Sequence, residues 1–288
     1  MNTMRVFLHD LPWQQDPAGY KQRIGQFLTI AAKHNIRPMF VLFDSCWDPA
    51  PKLGKQRAPK PGVHNSGWVQ SPGAAALQDP KQSARLEAYV KGVVGAFAND
   101  ERVLAWDIWN EPDNTNGSSY GKLEPANKVD LVLPLMKQSF AWARAVNPKQ
   151  PLTAGVWQGD WSTAAKLSPM AKAQLDLSDV ITFHNYDGPA EFEKRIQWLK
   201  PLKPGPSCAP STWRVATAAR SRGRCRWRRS TKWRRSTGVW WPASRRRSCP
   251  GIRGRSRMSI VSRRSGSTKC SRPMGRRIGR KRRSSSER

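Results

Sequence analysis

Apolar residues over the first two hundred positions follow two alternating rhythms. Residues 3–8 (TMRVFL) make a short β-prone run, after which Tyr20, Ile24, Phe27, Leu28 and Ala31 recur at the spacing of one helix face as far as Asn35. The strand signal returns at residues 38–43 (PMFVLF). A long loop containing Pro, Gly and Lys then runs through Pro80, and Leu86, Tyr89, Val90, Val93, Val94 and Phe97 mark another amphipathic helix. Residues 103–108 (VLAWDI) predict a third strand, a loop runs to the neighbourhood of Pro125, and Val132, Leu135, Met136, Phe140 and Ala143 stripe the next helix. Residues 151–156 and 180–184 predict two further strands, with a helix between them and another over 191–199. Five strands alternate with helices and no two are joined by a hairpin turn, which is the pattern of a parallel sheet with right-handed crossovers. The long loops follow strands, where ligand-binding loops crown a barrel.

This pattern stops at Pro204. Residues 205–288 hold 24 Arg and 3 Lys against the single acid Glu287, with no Leu, Phe, Tyr, Asp, Asn, Gln or His. Such a segment has little to build a core from and cannot offset the entropy of ordering. Residues 1–203 are therefore expected to form one domain, and residues 204–288 a disordered Arg/Ser/Trp-rich tail.

The net charge of +31 belongs mostly to that tail: its 27 basic residues and one acid leave only +5 for the body. Basic residues interleaved with Trp213, Trp227, Trp233, Trp240 and Trp241 suit phosphate contacts and base stacking, so non-specific nucleic-acid binding through the tail stays open as an alternative function. No specific nucleic acid is expected as a partner. The chain has no apolar run long enough to span a bilayer and no secretory pattern at its start, so no membrane partner is expected and localisation stays open. Of the five cysteines only Cys46 lies in the body, and neither a disulfide framework nor metal-ligand spacing is present.

The sharpest chemical signal is Trp106-Asp107-Ile108-Trp109-Asn110-Glu111-Pro112, an apolar strand that ends in an Asn-Glu pair. It resembles the acid/base motif of the retaining glycoside hydrolases built on the (β/α)8 barrel, of the cellulase and endoglycanase family 5 type (clan A). The resemblance implies that Glu111 protonates the departing glycosidic oxygen and that Asn110 contacts the sugar 2-hydroxyl. An oxocarbenium-like transition state needs one carboxylic acid held protonated and a second held ionised about 5–5.5 Å away as nucleophile. Trp106 and Trp109, or their neighbours, are expected to wall Glu111 and raise its pKa by desolvation. The plainer alternative is a turn, which both Asn and Pro favour.

Asn2-Thr3-Met4-Arg5 resembles the strand 2 signature of the same clan, implying that Arg5 holds the nucleophile ionised; a simple ion-pair partner is the alternative. Phe183-His184-Asn185-Tyr186 resembles the strand 6 ending, implying that His184 and Tyr186 line the sugar subsite, with a satisfied core histidine as the alternative. Asp44, Cys46, Trp47 and Asp48, with Trp157 and Trp161 and with Trp68 as a further candidate, fit a substrate-binding cleft in which aromatic faces stack on pyranose rings, with loop anchors as the alternative for each tryptophan. Numbered by this resemblance, the body is an α/β fold, an incomplete (β/α)8 TIM barrel holding strands 2 to 6.

The clan also needs a second Glu at the end of strand 7, at about residues 205–214, and the sequence has no acid between Glu193 and Glu287. A one-base slip in the gene would explain this, and the genetic code permits it. Pro210 to Arg214 can be encoded by CCG AGT ACA TGG CGC, whose shifted triplets spell Glu-Tyr-Met-Ala, and Arg235 to Trp241 permits Ile-Asn-Trp-Gly-Leu-Val in the same way. The resemblance thus implies hydrolysis of O-glycosidic bonds in a β-linked polysaccharide or oligosaccharide, cellulase-, xylanase- or mannanase-like, by a retaining mechanism. It implies a monomer with no metal and no organic cofactor, inactive in this product for want of the nucleophile. A carbohydrate-binding remnant without catalysis is the alternative.

Overall fold

The computed structural model describes residues 2–117 and 119–203, and beyond them the backbone of three short strands. Strands β1 (Thr3–Phe7), β2 (Arg37–Asp44), β3 (Ala105–Asn110) and β4 (Leu152–Thr153) form one sheet in that order. All its pairs are parallel, with Phe7 opposite Val41, Val41 opposite Asp107, and Asp107 opposite Thr153. Strand β5 (Ile181–His184) continues the series through a parallel bridge between Val156 and Phe183. There the Val156 amide donates to the Thr182 carbonyl (3.1 Å) and the His184 amide to the Val156 carbonyl (2.8 Å). These are the five strands expected from the apolar pattern, arranged as consecutive parallel staves of a partial barrel.

A sixth strand, β6 (Ser207–Ser211), runs parallel to β5 with Ser211 opposite His184. Its sequence, SCAPS, lacks the β-branched and aromatic residues that signal a strand, but an open strand edge offers backbone groups to any chain that can reach them. Strands β7 (Trp233–Ser236) and β8 (Val239–Pro242) pair as an antiparallel hairpin. The expected disorder of the tail otherwise falls outside the described residues.

Among the described residues, seven α-helices lie between the strands: α1 (Asp10–Gln15), α2 (Pro17–Lys33), α3 (Ala74–Gln78), α4 (Ser83–Ala96), α5 (Lys128–Ala145), α6 (Pro169–Leu177) and α7 (Pro189–Leu202). Their ends carry local signals. The Asp16 side chain accepts from the Gly19 amide (2.8 Å) at the start of α2, with Pro17 in its first turn, and Ser168 does the same for Ala171 (3.0 Å) at the start of α6. Tyr20, Ile24, Leu28 and Ala31 of α2 are buried, as are Leu86, Tyr89, Val90, Val93 and Val94 of α4 and Val132, Met136, Phe140 and Ala143 of α5. Most of these pack on Phe40, Leu42, Phe43, Trp106, Ile108 and Trp109 in one core. A second core joins Val156, Trp161 and Phe183 to Phe192, Ile196 and Leu199 of α7. No helix among the described residues is long and apolar enough to cross a membrane.

The boundaries differ from the sequence reading in two useful places. The third strand ends at Asn110 rather than residue 108, so Asn110 sits in the ladder opposite Asp44. The strand expected over 151–156 contracts to two residues, and Val156 instead bridges to β5. Two long segments, residues 45–73 and 111–127, leave the C-terminal ends of β2 and β3 and gather around the same place.

Candidate active site

Asp44 and Asn110 end adjacent strands, and their side chains meet. The Asn110 amide donates to Asp44 Oδ1 (2.6 Å) and to Cys46 Sγ (3.3 Å), while its oxygen accepts from Arg5 Nη1 (2.8 Å). Arg5 reaches from β1 past β2 and also binds Asp107 Oδ2 through Nη2 (2.5 Å) and Nε (2.9 Å). Asp107 is fully buried; burial pushes its pKa up, and the Arg5 guanidinium opposes that. The other carboxylate, Asp44, accepts from Trp68 Nε1 (2.6 Å) and the Cys46 amide (3.1 Å), and burial likewise raises its pKa.

Glu111 is the first residue beyond β3. Its φ of 45° lies in the left-handed region that disfavours a residue with a side chain, as does the φ of 75° at Trp47, on the neighbouring loop. The turn delivers a carboxylate that is 5% exposed into a ring of donors. Oε1 meets His184 Nδ1 (2.8 Å) and accepts from the Tyr186 hydroxyl (2.5 Å); Oε2 accepts from the Asn114 amide (2.9 Å) and the Cys46 thiol (3.2 Å). Because the Asn110 and Asn114 amides both donate to Cys46 Sγ, the thiol proton is left for Glu111. Burial and the charges of Asp44 and Glu111 push the Cys46 thiol well up, which keeps that proton in place.

Burial pushes the Glu111 pKa up, but the hydrogen bond and attraction of His184, then the hydrogen bonds of Tyr186 and Asn114, outweigh it and hold it at about 2. The expected elevation by tryptophan walls is thus reversed. Trp106 stacks on Phe40 (5.6 Å) and donates to Gln150 Oε1, while Trp109 packs on Phe43 (4.8 Å) and donates to Ser45 Oγ. Both indoles are committed to the core. Trp161 is also buried, with the Arg195 guanidinium 4.7 Å over its ring and Phe183 at its edge, so it anchors the second core rather than offering a free face.

The remaining site residues from the sequence converge. His184 is buried on Glu111, and its Nε2 is buried without a hydrogen-bond partner among the described residues. Tyr186 is 47% exposed with its hydroxyl on Glu111; burial and Glu111's charge push that hydroxyl's pKa up. Trp157 donates to Asp113 Oδ1 (2.5 Å), two residues past Glu111, and Trp47, next to Cys46, stands edge-on to His64 (5.3 Å).

Sequence reasoning missed the supports. Glu124 Oε1 accepts from Lys128 Nζ (2.7 Å), Gln70 (2.6 Å) and Asn116 (2.5 Å), and Lys128, Asn116 and Gln70 also hold the backbone of Ser45 and Trp47. This buried knot fixes the turn that presents Cys46. Asp107 carried a usable signal, since a carboxylate inside an apolar strand demands a cation; nothing local in the sequence marked Asn114, Asn116, Glu124 or Lys128.

Parallel strands and helices with polar side chains gathered at the strand ends define an α/β fold similar to the TIM-barrel glycosidases. Sequence comparison places the chain further: the Cellulase pattern, glycosyl hydrolase family 5, matches residues 62–241, and the chain belongs to this family. The match takes in Asn110, Glu111, His184 and Tyr186 and runs past Lys203; Arg5, Asp44 and Trp47 precede it. Among solved structures, the β-mannanase of the blue mussel Mytilus edulis is 19% identical with a TM-score of 0.42, over 65% of this chain and 59% of that one. The β-1,4-mannanase of the sea hare Aplysia kurodai gives 18% and 0.36, over 58% and 50%. The exo-β-1,4-mannosidase Op5Man5 of Opitutaceae bacterium strain TAV5 gives 17% and 0.48, over 78% and 42%. The chain thus spans about half the length of these relatives. Comparison with curated proteins yields no match.

Proposed function

We propose that the site binds a β-linked polysaccharide or oligosaccharide, with Glu111 in the place of a retaining hydrolase's acid/base, and that this product turns its substrate over little or not at all. The observation that carries this is the Glu111 carboxylate at a strand tip, with donors on both oxygens and Asn110 beside it. In a working pair, an ionised nucleophile nearby raises the acid's pKa. Glu111 instead rests at about 2, ionised as long as no substrate displaces its donors and no second carboxylate stands opposite. The sequence has no acid from residue 194 to residue 286, so β6, the strand after β5, brings no carboxylate. Asn110, whose amide is engaged by Asp44 and Cys46, would exchange one of these for a sugar hydroxyl, and Arg5 keeps Asp107 and Asn110 in place.

Reducing-sugar assays on cellulose, xylan and mannan, run beside Glu111→Gln, test the assignment. Little or no turnover by either protein is expected. Turnover that survives Glu111→Gln removes Glu111 from its role, and turnover abolished by it overturns the inactivity. The ionised Glu111 favours a second reading for this product, a carbohydrate-binding remnant, which calorimetry with oligosaccharides separates from loss of binding altogether. The loss of the nucleophile is assigned to a one-base slip between about codons 200 and 210; resequencing that overturns it would show an intact frame encoding Pro210 to Trp213 with codons that exclude Glu.

A further inference from the structure

The loop that leaves β2 begins and ends at the site. Trp47 opens it beside Cys46, and Trp68 closes it with its indole on Asp44. The loop's two arms are tied by Asp48 and Val69, paired as a parallel bridge. Between them, residues 49–68 carry Lys52, Lys55, Arg57 and Lys60 and no Asp or Glu. This one segment supplies +4 of the +5 carried by residues 1–204.

The loop is internally braced rather than loose. Gln56 bonds the backbone of Lys52 and Gly54, Arg57 Nε donates to the Ser66 carbonyl (3.1 Å), and the Lys60 amide donates to Ser66 Oγ (2.7 Å). Arg57 is spoken for by Asp48 (3.0 Å) and the Tyr120 hydroxyl. Lys52, Lys55 and Lys60 are exposed, and their ammonium groups pair with no carboxylate among the described residues. His64, near the loop's end, reaches back to Trp47 at 5.3 Å, beside the Cys46 whose thiol donates to Glu111, so the loop that carries the lysines is pinned to the site at both of its ends.

We infer that the glycan taken by this site is acidic: a β-linked backbone bearing carboxylate substituents, such as uronic acid units, which Lys52, Lys55 and Lys60 meet at the rim while Glu111 and Tyr186 face the neutral backbone. The inference rests on the carbohydrate-binding reading above. Exposed ammonium–carboxylate contacts are individually weak and screened by salt, so the effect is a preference rather than an on-off choice, about tenfold for two or three contacts.

The test is calorimetry on the full chain at low salt with matched pairs of β-1,4-linked cello-, manno- and xylo-oligosaccharides, neutral or carrying carboxylates on two or three units. These are run against the native protein and Lys52→Gln/Lys55→Gln/Lys60→Gln. Expected is about tenfold tighter binding of the acidic member of one pair, lost in the triple variant while affinity for the neutral member is unchanged. Equal affinity for both members overturns the inference and leaves the carbohydrate reading standing. A preference that survives the triple variant also overturns it, assigning the attraction to the Arg-rich tail. Binding of no member of any pair overturns the carbohydrate reading and the inference with it.

Discussion

Tyr186→Phe isolates one of the four hydrogen bonds to Glu111. The hydroxyl sits 2.5 Å from Oε1 and its ring is 47% exposed, so the substitution removes a donor without opening a core cavity. A hydrogen bond to a charged group contributes about 1.5–3 kcal/mol, and about 1.4 kcal/mol corresponds to one pKa unit. The Glu111 midpoint should therefore rise from about 2 by about one to two units, toward the lower figure if water replaces the hydroxyl. Carbon NMR titration of labelled glutamate side chains reads it directly. The sign carries to stability. A carboxyl held at about 2 against an ordinary 4.5 stabilises the fold fully above 4.5, by about 3 kcal/mol, and that contribution drains away as pH falls through the folded value. Tyr186→Phe should shrink this acid-sensitive part by roughly half. A Glu111 midpoint that stays put or falls refutes the claim that side-chain donors, rather than a distant charge, set it.

Other perturbations probe the same architecture. Glu111→Gln should remove the acid-sensitive part between pH 4.5 and about 2, read as a flatter stability-versus-pH curve in urea titrations. Lys128→Met strands the Glu124 carboxylate in a site where neither side chain is more than 3% exposed, and should cost about 3–5 kcal/mol in urea unfolding, partly recovered by adding Glu124→Gln. Gly92→Ala would put a Cβ 2.2 Å from the Trp13 ring and should cost about 1–3 kcal/mol, seen as a lower Tm. Gly25→Ala, also in a helix but in open space, should instead be neutral or stabilise by up to about 1 kcal/mol; equal losses at both glycines would show that helix propensity, not Trp13, decides.

Those buried contacts also mark how far the sequence could be read. Helix stripes such as Tyr20, Ile24, Leu28 and Ala31 were legible because their spacing is imposed by burial itself. Glu111, Asn110, His184 and Tyr186 were nameable because each stands at or just beyond the end of an apolar strand, and the structure brings all four to one place. What periodicity cannot carry is direction at a strand's end. Asp107 and Asn110, an odd number of residues apart, both reach Arg5, so strict alternation fails across the tip of β3 and the tryptophans beside them turn to the core. The sign of the Glu111 pKa was lost for the same reason: its donors come from residues 46, 114, 184 and 186, and only folding assembles them. Strand β6 escaped notice because its side chains advertise nothing.

The low Glu111 pKa and the missing acid after β5 are linked quantitatively. A second carboxylate about 5.5 Å away, at an effective dielectric of about 20, would repel Glu111's charge by about 3 kcal/mol, or about two pKa units. That lifts the carboxyl from about 2 to about 4, still short of the neutral range an acid catalyst needs. The rest must come from stripping water, and the donors on Oε1 and Oε2 resist it: each hydrogen bond that positions the carboxylate also holds it ionised. A site built this way gains its proton only when substrate displaces donors such as Tyr186, the most exposed of the four, and a like charge stands opposite. With one carboxylate in place of two, the same four bonds leave a fixed anion, which on the proposed reading orients a sugar without protonating its leaving oxygen.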